Sequence, residues 1–144
     1  MPVILVDTDL NNAFGQVNID SWADLDGDEE ASHISSRRIW AMNKAEGELL
    51  GKLENTKYDM SGVTSANASV ELKEYLAKEA GLALYFSRGQ VGTESINSTN
   101  KRNTFAVIRE KQRKILFKLQ SGQNNLRIPL NSDYEHDAPM VIVE

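Results

Sequence analysis

Three stretches of this chain repeat apolar residues at intervals of three, four or seven, which is the spacing of one face of an α-helix. They run from about residue 28 to 58, from 69 to 87, and from about 103 to 120. A strand cannot hold this spacing on one face, because its side chains alternate with period two. With a short helical turn at 21–25, the pattern predicts a mainly α protein: a small helical bundle of three to four helices, with a long second helix.

The ends of these helices are marked by residues that favour helix termini. Asp28 and its acidic neighbours stand where carboxylates cap free N–H groups and meet the positive end of the helix dipole. Ser69 opens the next helix, and Gly122 follows the last one in the position where a positive φ is common. The second long helix is apolar on two sides, so we expect it to be the central one. The residues predicted to be buried between helices are Trp40, Leu49, Leu53, Leu76, Leu84, Ile108, Ile115 and Leu119.

Both ends of the chain lack a helical period. Val3–Val6 suits a short strand or an extended arm, and Gly15 suits a turn. After Gly122 the apolar residues alternate, and Pro129 opposes a helix. We therefore predict an extended N-terminal arm at 1–20, a helical bundle at 21–122 and an extended C-terminal arm at 123–144.

The chain lacks most of the residue types and motifs that catalytic sites and metal sites need. The chain has no cysteine, which excludes disulfides, thiolate metal sites and cysteine nucleophiles, and its two histidines lie far apart in sequence. Residues 24–28 resemble a calcium loop, but Gly27 comes too early for an EF-hand. No nucleophile elbow, phosphate loop or distinctive pair of acids is present. The sequence predicts no enzyme, no metal and no cofactor. The apolar run near the N-terminus is short and predicts neither secretion nor membrane binding. We therefore expect synthesis and assembly in a cytoplasm.

Charge is segregated along the chain. Residues 1–36 hold eight acidic residues and no Lys or Arg, whereas residues 101–127 hold eight basic residues and one acid. Residues 128–144 are acidic again, with four carboxylates. A nucleic-acid-binding domain is usually basic as a whole, but this chain has a net charge of −5. The pattern predicts contacts between acidic and basic patches of separate copies; a merely solvated helix face is the plain alternative.

A contact between two different patches is heterologous, and such contacts close into a ring when the rotation between copies allows it. We therefore predict a homo-oligomer in which the basic helix of one copy meets the acidic head or tail of another. The predicted subunit-interface residues are Arg109, Lys111, Arg113, Lys114, Asp24, Asp26, Asp28 and Glu29.

The C-terminal arm ends on Met140–Val143, a run with strong strand propensity. An exposed terminal strand suits addition to a partner, where main-chain hydrogen bonds give affinity and alternate side chains give selectivity. Pairing with Val3–Val6 of the same chain or of a neighbour stays open as an alternative. The residues predicted to bind a partner are Ile128, Leu130, Tyr134, Met140, Val141, Ile142 and Val143.

The segments SRRIWAMNKAEGELLGKLENTKYDM, LKEYLAKEAGLALYFSRG and VIREKQRKILFKLQSGQNNLRIP resemble, in this order, the head–tail connector proteins of tailed bacteriophages, also called head-completion or adaptor proteins. The resemblance covers about residues 35–130. One departure is the stretch of about twenty residues before Trp22, since these proteins commonly begin near their first short helix. The matching positions are Gly51, Leu53 and Tyr58; Leu76, Leu84, Tyr85 and Arg88; and Leu116, Leu119 and Gly122.

The resemblance implies a helical bundle that forms a ring, commonly a dodecamer, below the portal protein in the neck of a virion. Such a ring continues the DNA channel, lets genomic DNA pass without reading its sequence, and carries the next neck or tail component, a stopper or tail terminator. The connector's tail would reach into the portal. A second hypothesis, from the residues alone, is a small nucleic-acid-binding or regulatory protein that uses basic helix 101–118.

Overall fold

The computed structural model describes residues 2–25, 27–87 and 96–130, and the side chains of these residues except those of 96–104. The described part of the chain contains five helices, and the prediction of a mainly α, small helical bundle is confirmed. The helices are α1 (Asp7–Phe14), α2 (Gln16–Ala23), α3 (Ala31–Lys52), α4 (Val70–Ser87) and α5 (Ile96–Gln120).

Helix α4 is the centre of the bundle and contacts each of the other four helices. Its apolar residues are buried on two sides, with Leu76 and Leu84 fully enclosed, as the sequence predicts. The helix starts one residue after Ser69, whose hydroxyl accepts a hydrogen bond from the Leu72 N–H (3.0 Å) and caps the first turn. The same hydroxyl donates to the Leu126 carbonyl (2.6 Å) and fastens the segment after α5 to the start of α4.

Helix α3 is the long helix that the sequence predicts, although it ends at Lys52 and not near residue 58. Ala41, Ala45 and Leu49 form its buried stripe, and small residues there allow close packing on α4. The prediction that Trp40 is buried is wrong. Its side chain is 37% exposed and lies under the guanidinium of Arg37, 4.2 Å from the ring centroid, because the helix turns this position away from α4.

The N-terminal prediction also needs correction, since residues 7–23 form α1 and α2 where an extended arm is expected. Leu10 and Ile19 are fully buried, which compensates for the short length of the two helices. Gly15 joins them at a φ of 92°, a conformation that favours glycine. The segment before α1 is held by Glu46, whose carboxylate accepts hydrogen bonds from the N–H groups of residues 3, 4 and 5 at 2.7–3.1 Å.

Helix α5 begins at Ile96, earlier than the predicted start near residue 103, and ends in a hydrogen-bonded turn. The Gly122 N–H donates to the Leu119 carbonyl (3.1 Å) and the Gln123 N–H to that of Lys118 (3.0 Å), the paired bonds of a Schellman motif. Gly122 has a φ of 105°, as its predicted role requires.

The chain after α5 packs on the bundle through residue 128, so the first part of the predicted C-terminal arm is not a free arm. Leu126 and Ile128 are buried, and the Pro129 carbonyl accepts a hydrogen bond from the Asp59 N–H (2.8 Å). Leu130 forms an isolated antiparallel bridge with Tyr58.

A second, aromatic core joins α5 to the helices before it. Rings of α1, α2, α4 and α5 meet there with centroids 4.1–6.4 Å apart, several of them edge to face. Gly81 admits the ring of Phe14 to the surface of α4, because a Cβ at this position would lie 2.3 Å from that ring. The five rings belong to Phe14, Trp22, Tyr85, Phe86 and Phe105.

Candidate interaction site

Helix α5 has one face toward the bundle and one face away from it. Phe105, Gln112 and Leu119, seven residues apart, are buried. The Gln112 side-chain amide donates to the Tyr75 carbonyl (2.9 Å) and to the Glu79 carboxylate (3.0 Å), so this polar side chain is hydrogen-bonded where it is buried. These contacts fix the rotation of α5 about its axis and so decide which basic residues face outward.

The outward face carries Lys111, Lys114 and Lys118, which we call the lysine stripe. Their spacing of three and four places them on one side of the helix, and all three are exposed. Phe117 lies beside them with 71% of its surface exposed. Aromatic residues are enriched in surfaces that bind partners, so the exposed ring favours an interaction surface here.

Arg109 and Arg113 are separated from the lysine stripe by the rotation of α5. They line a cleft of about 300 Å³ between α3, α4 and α5, here called the α3–α4–α5 cleft. Arg109 stacks its guanidinium over the Phe86 ring at 4.7 Å, and Arg113 pairs with Glu110 at 2.8 Å. The sequence therefore predicts the basic helix correctly. The predicted single patch of Arg109, Lys111, Arg113 and Lys114 is divided, however, between two surfaces.

The cleft also borders the buried phenol of Tyr75. Burial raises the pKa of Tyr75 far above its usual value, and the nearby carboxylates of Glu79 and Glu48 raise it further. This hydroxyl stays neutral over the ordinary pH range.

The acidic half of the predicted interface lies between α2 and α3, in residues 24–30, which we call the acidic loop. Asp24 accepts a hydrogen bond from the Glu29 N–H (3.1 Å), and Asp28 accepts one from the Glu30 N–H (2.9 Å). The pKa of Asp28 is lowered, first by this backbone hydrogen bond and also by the nearby His33 at 3.3 Å. Asp28 and Glu29 are exposed, and Glu29 has a φ of 57°. Asp26 lies outside the described residues.

Other acids of the N-terminal region serve an internal role that is not among the predictions from the sequence. Arg38 is buried, and its guanidinium donates to Asp20 (2.6 Å), to Asn11 (2.7 Å), and to both the side chain (3.3 Å) and the carbonyl (3.2 Å) of Asp7. This cluster joins α1 and α2 to α3. A signal was present, because Arg38 falls between Ile34 and Ala41 on the apolar stripe of α3.

The predicted partner-binding residues of the C-terminal arm divide into three groups. Ile128 is only 1% exposed and packs in the bundle's own core, so its prediction as a binding residue is wrong. Leu130 is 45% exposed. Tyr134 and residues 140–143 lie outside the described residues.

Within the described residues, no cluster of three or more His, Cys, Asp or Glu side chains could hold a metal ion. No helix in that part of the chain is long and apolar enough to cross a membrane. Comparison of the chain with protein-family models, with curated proteins and with solved structures found no match.

Proposed function

We propose that the chain is a structural adaptor that assembles into a ring, with the lysine stripe of one copy against the acidic loop of the next. The observation that carries this proposal is the presence of two exposed patches of opposite charge on separate elements of one chain. Phe117, beside the stripe, adds apolar surface that would be covered on assembly. Two different patches make a heterologous contact, the kind that generates rings.

The resemblance to tailed-phage connectors supports a specific place for such a ring, the neck of a virion. There it would dock under the portal protein, continue the channel for genomic DNA and carry the next neck or tail component. In this proposal the charged patches join subunits, and catalysis has no part in the function.

Charge reversal gives a direct test of the subunit contact. One variant replaces Lys111, Lys114 and Lys118 with Glu, a second replaces Asp24, Asp28 and Glu29 with Lys, and a third carries both sets. Each single set should abolish ring assembly, because like charges then face each other, whereas the third variant should assemble with itself. Native mass spectrometry at low salt, with and without the portal protein, reads the outcome. Assembly that is unaffected by either single set contradicts the proposal.

A second candidate function is the binding of single-stranded nucleic acid, which the lysine stripe and Phe117 favour. Proteins of that class combine a positive track for the backbone with aromatic rings for stacking. The same variants separate the two candidates. If the chain is an adaptor, the variant with both sets reversed should assemble. If the lysine stripe binds nucleic acid, the original chain should show a salt-dependent affinity for a fluorescent oligonucleotide, and this variant, which has lost the cationic track, should not.

A further inference from the structure

The α3–α4–α5 cleft has no role in the proposed ring contact, yet its lining is that of a binding site. Four cationic side chains border it, Lys44 and Lys52 from α3 and Arg109 and Arg113 from α5. Among the described residues, two carboxylates do so, those of Glu48 and Glu79. Glu48 is engaged by Lys44 at 2.8 Å, and Glu79 by the buried Gln112. Arg113 is also paired with Glu110, so the described lining keeps a small excess of positive charge.

Leu82, Phe86 and Leu116 add apolar surface to the lining, here called the apolar floor of the cleft. A fitting occupant thus combines carboxylates, to meet the cations at the rim, with aliphatic side chains, to cover the apolar floor. A nucleic acid supplies the charge but lacks aliphatic groups, and a neutral apolar peptide lacks the charge.

The last fourteen residues of this chain, 131–144, have that composition. They hold four carboxylates and no Lys or Arg, and they end on the apolar run Met140–Val143 before Glu144. Residues 3–16 also join four aliphatic residues to acids without Lys or Arg, but Ile4 and Leu5 of that run are buried in the bundle's own core.

The described chain also ends where this segment can enter the cleft. Leu130 is bridged to Tyr58, whose hydroxyl donates to the Leu119 carbonyl (2.7 Å) near the end of α5. Leu116, one turn earlier, and Lys52, the last residue of α3, both line the cleft. From there to Arg109 the cleft follows about two turns of α5, roughly 11 Å at 1.5 Å per residue. Fourteen extended residues reach roughly 46 Å, which is ample.

We propose that residues 131–144 dock in the α3–α4–α5 cleft of their own chain. The acidic residues pair with the cations at the rim, and the terminal aliphatic run covers the apolar floor. While docked, the segment is not available to other partners. A partner that binds the segment more tightly than the cleft does would displace it. This inference does not depend on ring formation.

Paramagnetic relaxation in the full-length chain tests the proposal. The chain has no cysteine, so Val141→Cys introduces a single site for a nitroxide label. Amide NMR signals of cleft residues such as Leu82 and Leu116 should lose intensity, because the label lies close to them. The signals of Asn12 and Val17, on α1 and α2, should keep theirs. Loss of intensity that is equal at all four positions, or absent from the cleft, overturns the proposal.

Isotope mixing separates the chain's own segment from that of a neighbour. Labelled chains carrying ¹⁵N but no nitroxide are mixed with unlabelled chains that carry it. Own-chain docking requires that the cleft signals keep their intensity in this mixture. If they lose intensity in the mixture as well, the occupant is the segment of a second copy, and the proposal is wrong.

Matched charge variants on one helix provide the control for specificity. Arg109→Glu with Arg113→Glu reverses cations of the cleft and should abolish the loss of signal. Lys111→Glu with Lys114→Glu makes the same change in charge on the outward face and should leave the loss intact. If the first pair unfolds the chain, Lys44→Glu with Lys52→Glu reverses the opposite wall and should have the same effect. Equal effects of cleft and outward variants would mean general charge attraction without a docking site, and would overturn the proposal.

Discussion

Arg38 and Lys114 carry the same charge on two helices of one bundle, but their surroundings are opposite. Arg38 on α3 is buried among Asp7, Asn11 and Asp20 and joins three helices. Lys114 on α5 is exposed and belongs to the lysine stripe. The difference teaches that the net charge of a segment does not tell which charges are available to a partner. In the N-terminal region several charges hold the fold together, whereas on α5 much of the charge remains at the surface.

Removal of Arg38 should have the largest effect on stability. Arg38→Met keeps an apolar stem but leaves Asn11 and the Asp7 carbonyl without their donor. We expect a loss of about 3 kcal/mol in the free energy of unfolding, at the low end for breaking a buried ion pair, because the carboxylate of Asp7 stays largely exposed to water. Urea unfolding followed by circular dichroism measures it. The neighbouring Arg37→Met, which loses a stack on Trp40 and one hydrogen bond to the Ser87 hydroxyl (2.8 Å), should cost less, about 1 kcal/mol. Equal losses would contradict a structural role specific to Arg38.

A pair of glycine substitutions tests the close packing of α1 on α4. Gly81→Ala places a methyl group 2.3 Å from the Phe14 ring. The ring is held among other aromatic rings, so we expect a loss of about 1–3 kcal/mol from overpacking. Gly47→Ala, inside α3 with open space around it, should instead gain about 0.5–1 kcal/mol from helix propensity. Thermal unfolding should therefore shift in opposite directions, and a stabilised Gly81→Ala variant would refute the contact.

Alkaline unfolding tests the place where α5 meets the rest of the bundle. Burial raises the pKa of Tyr75 above its unfolded value of 10.0, and burial also raises that of Tyr58. The unfolded chain then loses these protons first, so stability is complete below pH 10 and falls as the pH rises above it. Tyr75→Phe should reduce this fall in urea unfolding measured at several alkaline pH values. An unchanged slope would mean that Tyr75 ionises normally in the folded chain.

The smallest effect on stability should come from the lysine stripe. Lys111, Lys114 and Lys118 changed together to Glu should alter the free energy of unfolding by less than about 0.5 kcal/mol per site, the usual range for exposed positions. The same variant should still abolish ring assembly. A large loss of stability would remove the contrast between the inward charges of the N-terminal region and the outward charges of α5.

The long helices were predictable because their signals are local and repeated. Ser69 and Gly122 mark helix ends through hydrogen bonds within one or two turns, and these positions are correct. Helices α1 and α2 were missed because each has only eight residues, with no repeat long enough to register. Their stability comes from burial of Leu10 and Ile19 against distant segments, which no local pattern encodes.

The candidate site was predictable only in part, for a similar reason. The basic composition of α5 is visible in the sequence, but the division between cleft and outward face depends on how Phe105, Gln112 and Leu119 pack. Trp40 could not be placed from its size and hydropathy alone, because the small residues Ala41 and Ala45 are the ones buried on this helix.

The contact between Phe14 and Gly81 bears on the order in which the protein folds during synthesis. A ribosome releases α1 well before α4, so α1 emerges with no surface on which to bury Leu10, and the carboxylate that holds residues 3–5 arrives only with Glu46. The first two helices must therefore wait as a fluctuating, partly apolar segment until more than half of the chain has been made. A translational pause before α4 has emerged from the ribosome would prolong that exposure, whereas a pause after its emergence would find the first four helices able to pack together.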